Sequence, residues 1–418
     1  MSANNLPQAL PDYAPLPPEN PGHVWRKEIY NGPYSFYWTG KGGHWFYIYG
    51  GSIYYALSQR APFFIGFEGQ DSGGSCNENC SGRRTIWLTS GDMRLFSKEV
   101  SVLSESADGS NVHGIVQCLV ETGVGASLPS YRWCYLNAPA IKGDDVDRNG
   151  RIAADRLVFV SKEAIYREIY QIILENQDGY QMQKDHRAIS HHCEIRAGKD
   201  CAKLEFEKVH REIQLFSRFV SFFSGTHHAP WFIEGMDGNA TLFEYHECGH
   251  DTSMRKAVSW KPTNGDKDLV KLWPLFRLKY TSSPQRAGFM EAVLNCYLEA
   301  NDPTKPMVAS IATAINGLET LASDFLQEWN TIDDLLDIID TNLRLHYNYD
   351  GAYHLCPADI TGRLSPLPYA DDYSPDAQTC LDVLLQYLEL SMLFWLGYEG
   401  KYYDRVDKKN KRVKIVRL

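Results

Sequence analysis

The chain lacks an uninterrupted apolar run. Its longest apolar-rich stretch, Leu381–Leu396, carries Asp382, Gln386, Glu389 and Ser391. It is also shorter than the ~20 residues a bilayer crossing needs, so a buried helix is expected and no membrane contact. The first 23 residues lack a basic region followed by an apolar one. No secretory leader is expected, and the expected compartment is the cytoplasm. There is no phosphate-binding loop, dinucleotide fingerprint, Gly-x-Ser-x-Gly elbow or His-Glu-x-x-His helix. The two Gly-rich stretches nearest to such motifs, Thr39–Trp45 and Glu121–Ser127, have no helical pattern after them. These absences exclude the commonest signatures of nucleotide, dinucleotide, serine-hydrolase and zinc-protease chemistry. No Cys-x-x-Cys pair and no internal repeat occurs either. The 10 Cys are scattered. A chain this long needs no disulfides, so they read as buried reduced thiols.

Aromatic residues are abundant: 10 Trp, 25 Tyr and 18 Phe in 418 residues. That supply excludes a disordered protein and fills a large core. The length suggests two or three domains. The net charge of −10 argues against a basic coat over the whole molecule. The charge is uneven, however. Lys401–Leu418 holds eight Lys and Arg against two Asp, a surplus of six. Val413, Ile415 and Val416 interleave with its basic residues, in a pattern that suits a terminal strand. Lys408, Lys409, Lys411, Arg412 and Lys414 are the candidate contacts to RNA phosphates. An edge strand protected by lysines has the same composition.

Four segments are expected. Residues 1–23 hold six prolines and read as an extended arm. Residues 24–204 alternate aromatic and β-branched with polar residues between Gly/Asn/Asp/Ser clusters, which suggests a β-sandwich or open barrel. In residues 205–283 the period changes. Phe206, Val209, Ile213, Phe216, Val220 and Phe223 form one helical face that ends at Gly225. A mixed, loop-rich stretch follows, with short strands at Trp231–Ile233 and Thr241–Tyr245. Residues 284–418 are mainly helical, with stripes at Phe289, Val293, Cys296, Ala300 and at Ile311, Ile315, Leu318, Leu321, Phe325. A shorter helix is expected at Ile332–Leu343 and a last one at Asp376–Leu396.

Three segments carry a family resemblance: Arg218–Trp231 (RFVSFFSGTHHAPW), EAVLNCYLEAND with IATAINGLETLASDFL, and Leu384–Arg405 (LLQYLELSMLFWLGYEGKYYDR). In order and spacing they resemble the HEPN-like helical domain of bacterial proteins, some of which carry an N-terminal β domain of the ApeA antiphage type. The resemblance covers roughly residues 205–405. It implies an α+β protein: a β-sandwich-like N-terminal domain followed by a HEPN-like helical bundle. It also implies pairing of two copies into a homodimer, RNA as a partner, and protein partners in a defence system. Active members cleave RNA without metal, using an Arg and a His four to six residues apart at a helix start. A His suits acid–base work near neutral pH and an Arg stabilises phosphate charge. Here the segment before the last helix has Arg363 with no following His, and the literal match Arg187–His192 lies among strands. Arg344, His346 and His354 are the nearest candidates in the helical part. The resemblance therefore implies a protein of antiphage or stress response that acts in RNA binding or dimerisation with a degenerate catalytic motif. The alternatives are an active endoribonuclease, and a β-domain module that binds carbohydrate or peptide.

Two metal readings remain. Asp145, Asp147, Asn149 and Gly150 follow the order of an EF-hand loop, with Asp155 one place before the position of the closing ligand. The same residue types make an Asn-Gly hairpin turn. His246, Cys248 and His250 alternate as strand-borne zinc ligands would. His191, His192, Cys193, His227 and His228 could supply the rest, whereas Cys76 and Cys80 are a loose pair with no partner pair nearby; scattered surface His and buried Cys have the same composition. Beyond calcium or structural zinc, no cofactor is expected.

Overall fold

A computed structural model describes residues 25–38, 44–57, 64–71, 83–90, 93–105, 111–116, 118–121, 127–148, 151–162, 169–176, 189–198, 202–238, 240–247, 258–261, 266–325, 334–335, 375–405 and 413–416. Before residue 127 it describes the backbone alone. The fold is α+β.

Six strands open the chain: β1 (Trp25–Trp38), β2 (His44–Leu57), β3 (Phe64–Asp71), β4 (Arg83–Ser90), β5 (Met93–Glu105) and β6 (Asn111–Val116). They pair in the order β5-β4-β1-β2-β3-β6, and β6 pairs back onto β5. The ring is thereby closed, which leaves its strands without free edges. β7 (Cys118–Glu121) continues the line of β6. It pairs with β5 on one side and with β16 (Ala240–Glu247) on the other. Here the closed ring hands over to an open sheet. That sheet runs β16, β15 (Trp231–Asp237), β9 (Ser130–Leu136), β13 (Ile189–Ala197), β12 (Ile169–Asn176), β11 (Arg151–Lys162) and β10 (Asp144–Arg148). Apart from β8 (Ser127–Leu128) and β14 (Leu204–Glu205), which pair with each other, the described strands expected to make a sandwich-like domain are thus hydrogen-bonded in one antiparallel sheet that closes at one end.

The pleat gives the open sheet two unlike faces. Tyr131, Trp133 and Tyr135 of β9 share a face with Cys193 and Ile195 of β13, Ile172 and Leu174 of β12, and Leu157 and Phe159 of β11. All are buried. Helix α1 (Phe206–Ser224) covers this aromatic face, with Phe216 5.1 Å from Phe159 and 6.3 Å from Trp133 between ring centroids. The expected stripe of α1 is buried apart from the partly covered Phe206, and Gly225 closes the helix in the left-handed region (φ 74°). The stripe does not describe the whole helix. From Leu215 to Ser224 every side chain but Arg218 is buried, because α1 has neighbours on two sides.

The second neighbour is α2 (Asp266–Thr281), in the stretch read as loop-rich. Pro274 removes one backbone donor and argues against a helix interior. Tertiary packing overrides it: Leu269, Leu272, Trp273, Phe276 and Tyr280 lie on one buried stripe. Trp273 sits 5.2 Å from Phe216 and Phe276 5.3 Å from Phe219. Burial of each such ring stabilises by about 1.5–3 kcal/mol relative to exposure. Helix α3 (Pro284–Ala300) starts as its sequence demands, with the Ser283 hydroxyl accepting from the Arg286 N–H at 3.2 Å. Its buried face is Met290, Val293, Leu294, Tyr297, Leu298 and Ala300, so Val293 and Ala300 of the expected stripe are buried while Phe289 and Cys296 are only partly covered. Helix α4 (Met307–Phe325) buries Ile311, Leu318 and Leu321 as expected, with Ile315 partly covered. Gly317 lets it approach α3 and α5 (Pro375–Leu396): a Cβ there would lie 3.0 Å from Cys296 Cβ and 3.1 Å from Leu388 Cδ2. Helix α5 is long and apolar enough to cross a membrane by composition, yet it is largely buried among the other helices. Of the helix expected at Ile332–Leu343, only Asp334 and Leu335 are described, and both are helical.

Three Arg–Glu–Tyr groups join these layers. Arg277 of α2 holds Glu212 of α1 through two bonds (3.0 and 2.7 Å) and donates to the Tyr170 hydroxyl of β12 at 2.6 Å. Arg218 of α1 pairs with Glu291 of α3, whose carboxylate also meets Tyr280 of α2. The third group is centred on Glu389 of α5.

Candidate functional site

The C-terminal segment is fastened to the bundle by charge. After Leu396 the backbone turns at Gly397 (φ 72°). Strand β17 (Gly400–Tyr403) then pairs with β18 (Val413–Val416). Just beyond β17, Arg405 returns to the middle of α5. Its Nε donates to Glu389 Oε2 at 2.9 Å and its Nη2 to Glu389 Oε1 at 2.6 Å. Tyr297 of α3 donates to the same carboxylate at 2.7 Å. All three side chains are buried. Burial works against the Arg405 charge, but Glu389 holds its guanidinium above the ordinary value. Such a pair is stable only if every remaining lone pair and proton is satisfied. The neighbourhood provides this. Arg405 Nη2 also donates to the Val258 carbonyl, and the Asn301 amide donates to the Val258 and Gly225 carbonyls at 2.9 Å each. The Tyr403 N–H reaches the Trp260 carbonyl at 2.6 Å.

Tyr297 and Asn301 come from EAVLNCYLEAND, Glu389 from the Leu-Glu-Leu of the last helix and Arg405 from the segment that ends YYDR. Polar residues in two of the three segments that carry the resemblance therefore converge on one structural clamp. Its sequence signal was the isolated Glu389 inside an apolar helix, which a buried helix tolerates only if a cation meets it. Asp404 is buried as well. One charge of each sign is thus withdrawn from the basic segment, and its surplus of six is unchanged.

The predicted contacts fall mostly beyond this clamp. Lys414 lies in β18 opposite Tyr402; Lys408, Lys409, Lys411 and Arg412 lie outside the described residues, as do Arg344, His346, His354 and Arg363. Asp145 and Asp147 lie in β10 and Asp155 in β11; Asn149 is outside the described residues. The register pairs Asp144 with Arg156 and Arg148 with Arg151, which is the hairpin alternative for this segment. Asp155 has φ 71°, and its carboxylate accepts the Gly143 N–H at 3.1 Å. His246 is in β16, while Cys76, Cys80, Cys248 and His250 are outside the described residues. Among the described residues no three His, Cys, Asp or Glu side chains gather as metal ligands.

The remaining His residues divide between the two sheet faces. His191 lies on the aromatic face, beside Tyr135. Its Nδ1 meets the Ser190 hydroxyl at 2.9 Å. The same hydroxyl donates to the Tyr135 carbonyl at 3.2 Å, and His191 Nε2 is buried without a partner. His228 follows α1 in the turn 225–230. Its Nε2 meets the Thr226 hydroxyl at 3.0 Å, and its Nδ1 is buried. Burial above all, then the neighbouring His228, Lys261 and His192, lowers the His191 pKa to about 3. Burial and His227 lower that of His228 to about 3, against a smaller pull from the Leu136 backbone. Both imidazoles are neutral, and His228 lies against the Tyr135 ring of β9, 6.3 Å away between centroids. On the opposite face, His192 Nδ1 lies 3.4 Å from Cys134 Sγ.

One family model matches the chain, the YopA central domain, over residues 126–257. The matched span holds the strands of the open sheet and α1, and it crosses the boundary drawn at 204/205 from the sequence. No curated protein and no solved structure matches the chain.

Proposed function

We propose that this chain is a HEPN-like protein of bacterial antiphage or stress response that acts through RNA binding or dimerisation and does not cut RNA. The helical part is the HEPN-like bundle, and two copies pair through it. Lys408, Lys409, Lys411, Arg412 and Lys414 contact RNA phosphates. The observation that carries this reading is the clamp. It ties a basic segment to a rigid bundle at one point, and it uses Arg405, Glu389 and Tyr297 for that purpose instead of chemistry. Each phosphate neutralised releases counterions, so binding through such a segment weakens linearly in log–log terms with salt.

The test is binding and cleavage of labelled tRNA. The wild type binds, and replacement of the five basic residues by Gln weakens binding on every sequence and flattens the salt dependence. Unchanged binding by that variant sinks the assignment to this segment. Appearance of cleaved product, abolished by His346→Ala or His354→Ala, favours the endoribonuclease instead. Light scattering on the purified chain reads the dimer directly.

A further inference from the structure

Closure of the β1–β6 ring gives its strands an inner and an outer face, and the register separates the two. One row runs Phe46 (β2), Phe36 (β1), Leu88 (β4) and Leu95 (β5), each the register partner of the next. It holds no polar residue, as the filled interior of so small a ring requires. The adjacent row runs Tyr47, Ser35, Thr89 and Arg94 through the same four strands. By the pleat it belongs to the opposite, outer face. Trp45, Tyr37, Trp87 and Phe96 stand two residues away in these strands and share that face; Trp45 partners Tyr37, and Trp87 partners Phe96. The register shifts of these strand pairs lie outside these segments, so the alternation is regular here.

The outer face thus gathers five aromatic residues with Ser35, Thr89 and Arg94 beside them. Ser, Thr and Arg suit a core row poorly. Aromatic residues on adjacent strands of one sheet are what unstacked bases stack on, whatever their sequence. Three inter-strand spacings of ~4.8 Å make a platform ~14 Å wide, room for two or three bases. A sugar ring can also lie on an aromatic residue, but the charge on this face favours a phosphate chain. None of the eight positions is acidic, although the chain holds 52 Asp and Glu, and Arg94 is basic. We propose that the outer face of β1, β2, β4 and β5 is a base-stacking platform for single-stranded RNA. The proposal rests on the reading of RNA as the partner, and it assigns the bases to a different part of the chain from the basic C-terminal segment.

The experiment titrates the full-length protein with an unstructured oligouridylate of about twelve nucleotides and reads tryptophan fluorescence together with the anisotropy of the labelled oligonucleotide. Saturable quenching is expected. Tyr37→Leu and Trp87→Leu should each weaken binding by about five- to a hundredfold, while Trp87→Phe, which keeps a stacking ring, retains most of the affinity. Both Leu variants should keep the wild-type Tm, because the outer face is not the core of the ring. The variant with the five C-terminal basic residues replaced by Gln should bind the oligonucleotide more weakly and still quench. If that variant loses all binding while Tyr37→Leu and Trp87→Leu bind as the wild type does, the platform is refuted and the C-terminal assignment stands. Loss of binding in the two Leu variants alone supports the platform and removes the C-terminal assignment. Absence of quenching by oligouridylate, quenching by cellohexaose in its place, or a fall in Tm in both Leu variants each overturns the proposal, the last by making the row a packing surface.

Discussion

Mild acid should unfold this protein through two histidines. His191 and His228 both have their folded pKa lowered to about 3, against ~6.5 in an unfolded chain. The unfolded state therefore binds more protons than the native one between these values, and stability rises with pH across that window. Above about pH 6.5 neither group costs anything. Each then loses about 1.4 kcal/mol for every pH unit below it until the folded pKa is reached. At pH 5 the cost is about 2 kcal/mol per histidine, or about 4 for the pair, which is a large share of a typical folding free energy of ~5–15 kcal/mol. The geometry says where the loss appears first. His228 tethers the turn after α1 and His191 the end of β13, so the aromatic face should separate from α1. The assay is urea unfolding at pH 5 and pH 7, for the wild type and for His191→Gln/His228→Gln. The double variant is expected to start less stable at pH 7 and to show a pH 5 loss smaller by about 4 kcal/mol. If the wild type and the double variant lose the same stability between pH 7 and pH 5, the reasoning is wrong.

Other expectations follow from the clamp and the close approaches. Arg405→Met leaves the Glu389 charge buried and unpaired, at a cost of about 3–5 kcal/mol, and Glu389→Leu added to it should restore part of the loss; urea midpoints read both. Gly225→Ala places a Cβ 2.4 Å from Asn301 Nδ2 at a positive φ, so a loss of about 1–3 kcal/mol is expected, with α1 fraying in hydrogen exchange. Gly317→Ala presses on Cys296 and Leu388 and should cost about 1–3 kcal/mol in thermal unfolding. Phe216→Ala removes the ring shared by Phe159, Trp133 and Trp273, and about 3–5 kcal/mol with it.

Much of the helical half was legible. The 3.6-residue period located α1 and α4, the apolar-rich stretch Leu381–Leu396 located α5, and Gly225 marked the end of α1 because only a residue without Cβ takes that φ cheaply. α2 was missed although Leu269, Leu272, Trp273, Phe276 and Tyr280 carry the period. Pro274 lies within the stripe and argues against a helix interior, yet in the fold the lost hydrogen bond is small beside five buried side chains. The α3 stripe was displaced for a different reason: Phe289 and Cys296 are as apolar as Met290 and Tyr297, and only the positions of α4 and α5 decide which row is covered. In the candidate site, the basic surplus of the last 18 residues was visible as composition, while its point of attachment was not. Glu389 and Arg405 are 16 residues apart and read separately as a helix interruption and a member of a basic run.

The sequence by itself determined the buried stripes of α1 and most of α4, where the period changes from two to 3.6, and that charge is segregated at the C-terminus. These are properties of neighbours along the chain. It did not determine that β6 and β7 divide their pairing between a closed ring and an open sheet, nor that His191 and His228 would meet one Tyr135. It also left open that Tyr47, Ser35, Thr89 and Arg94 would stand in one row. Register alone brings those residues together, and register is a relation between strands distant in sequence, chosen by which face of each strand finds a core.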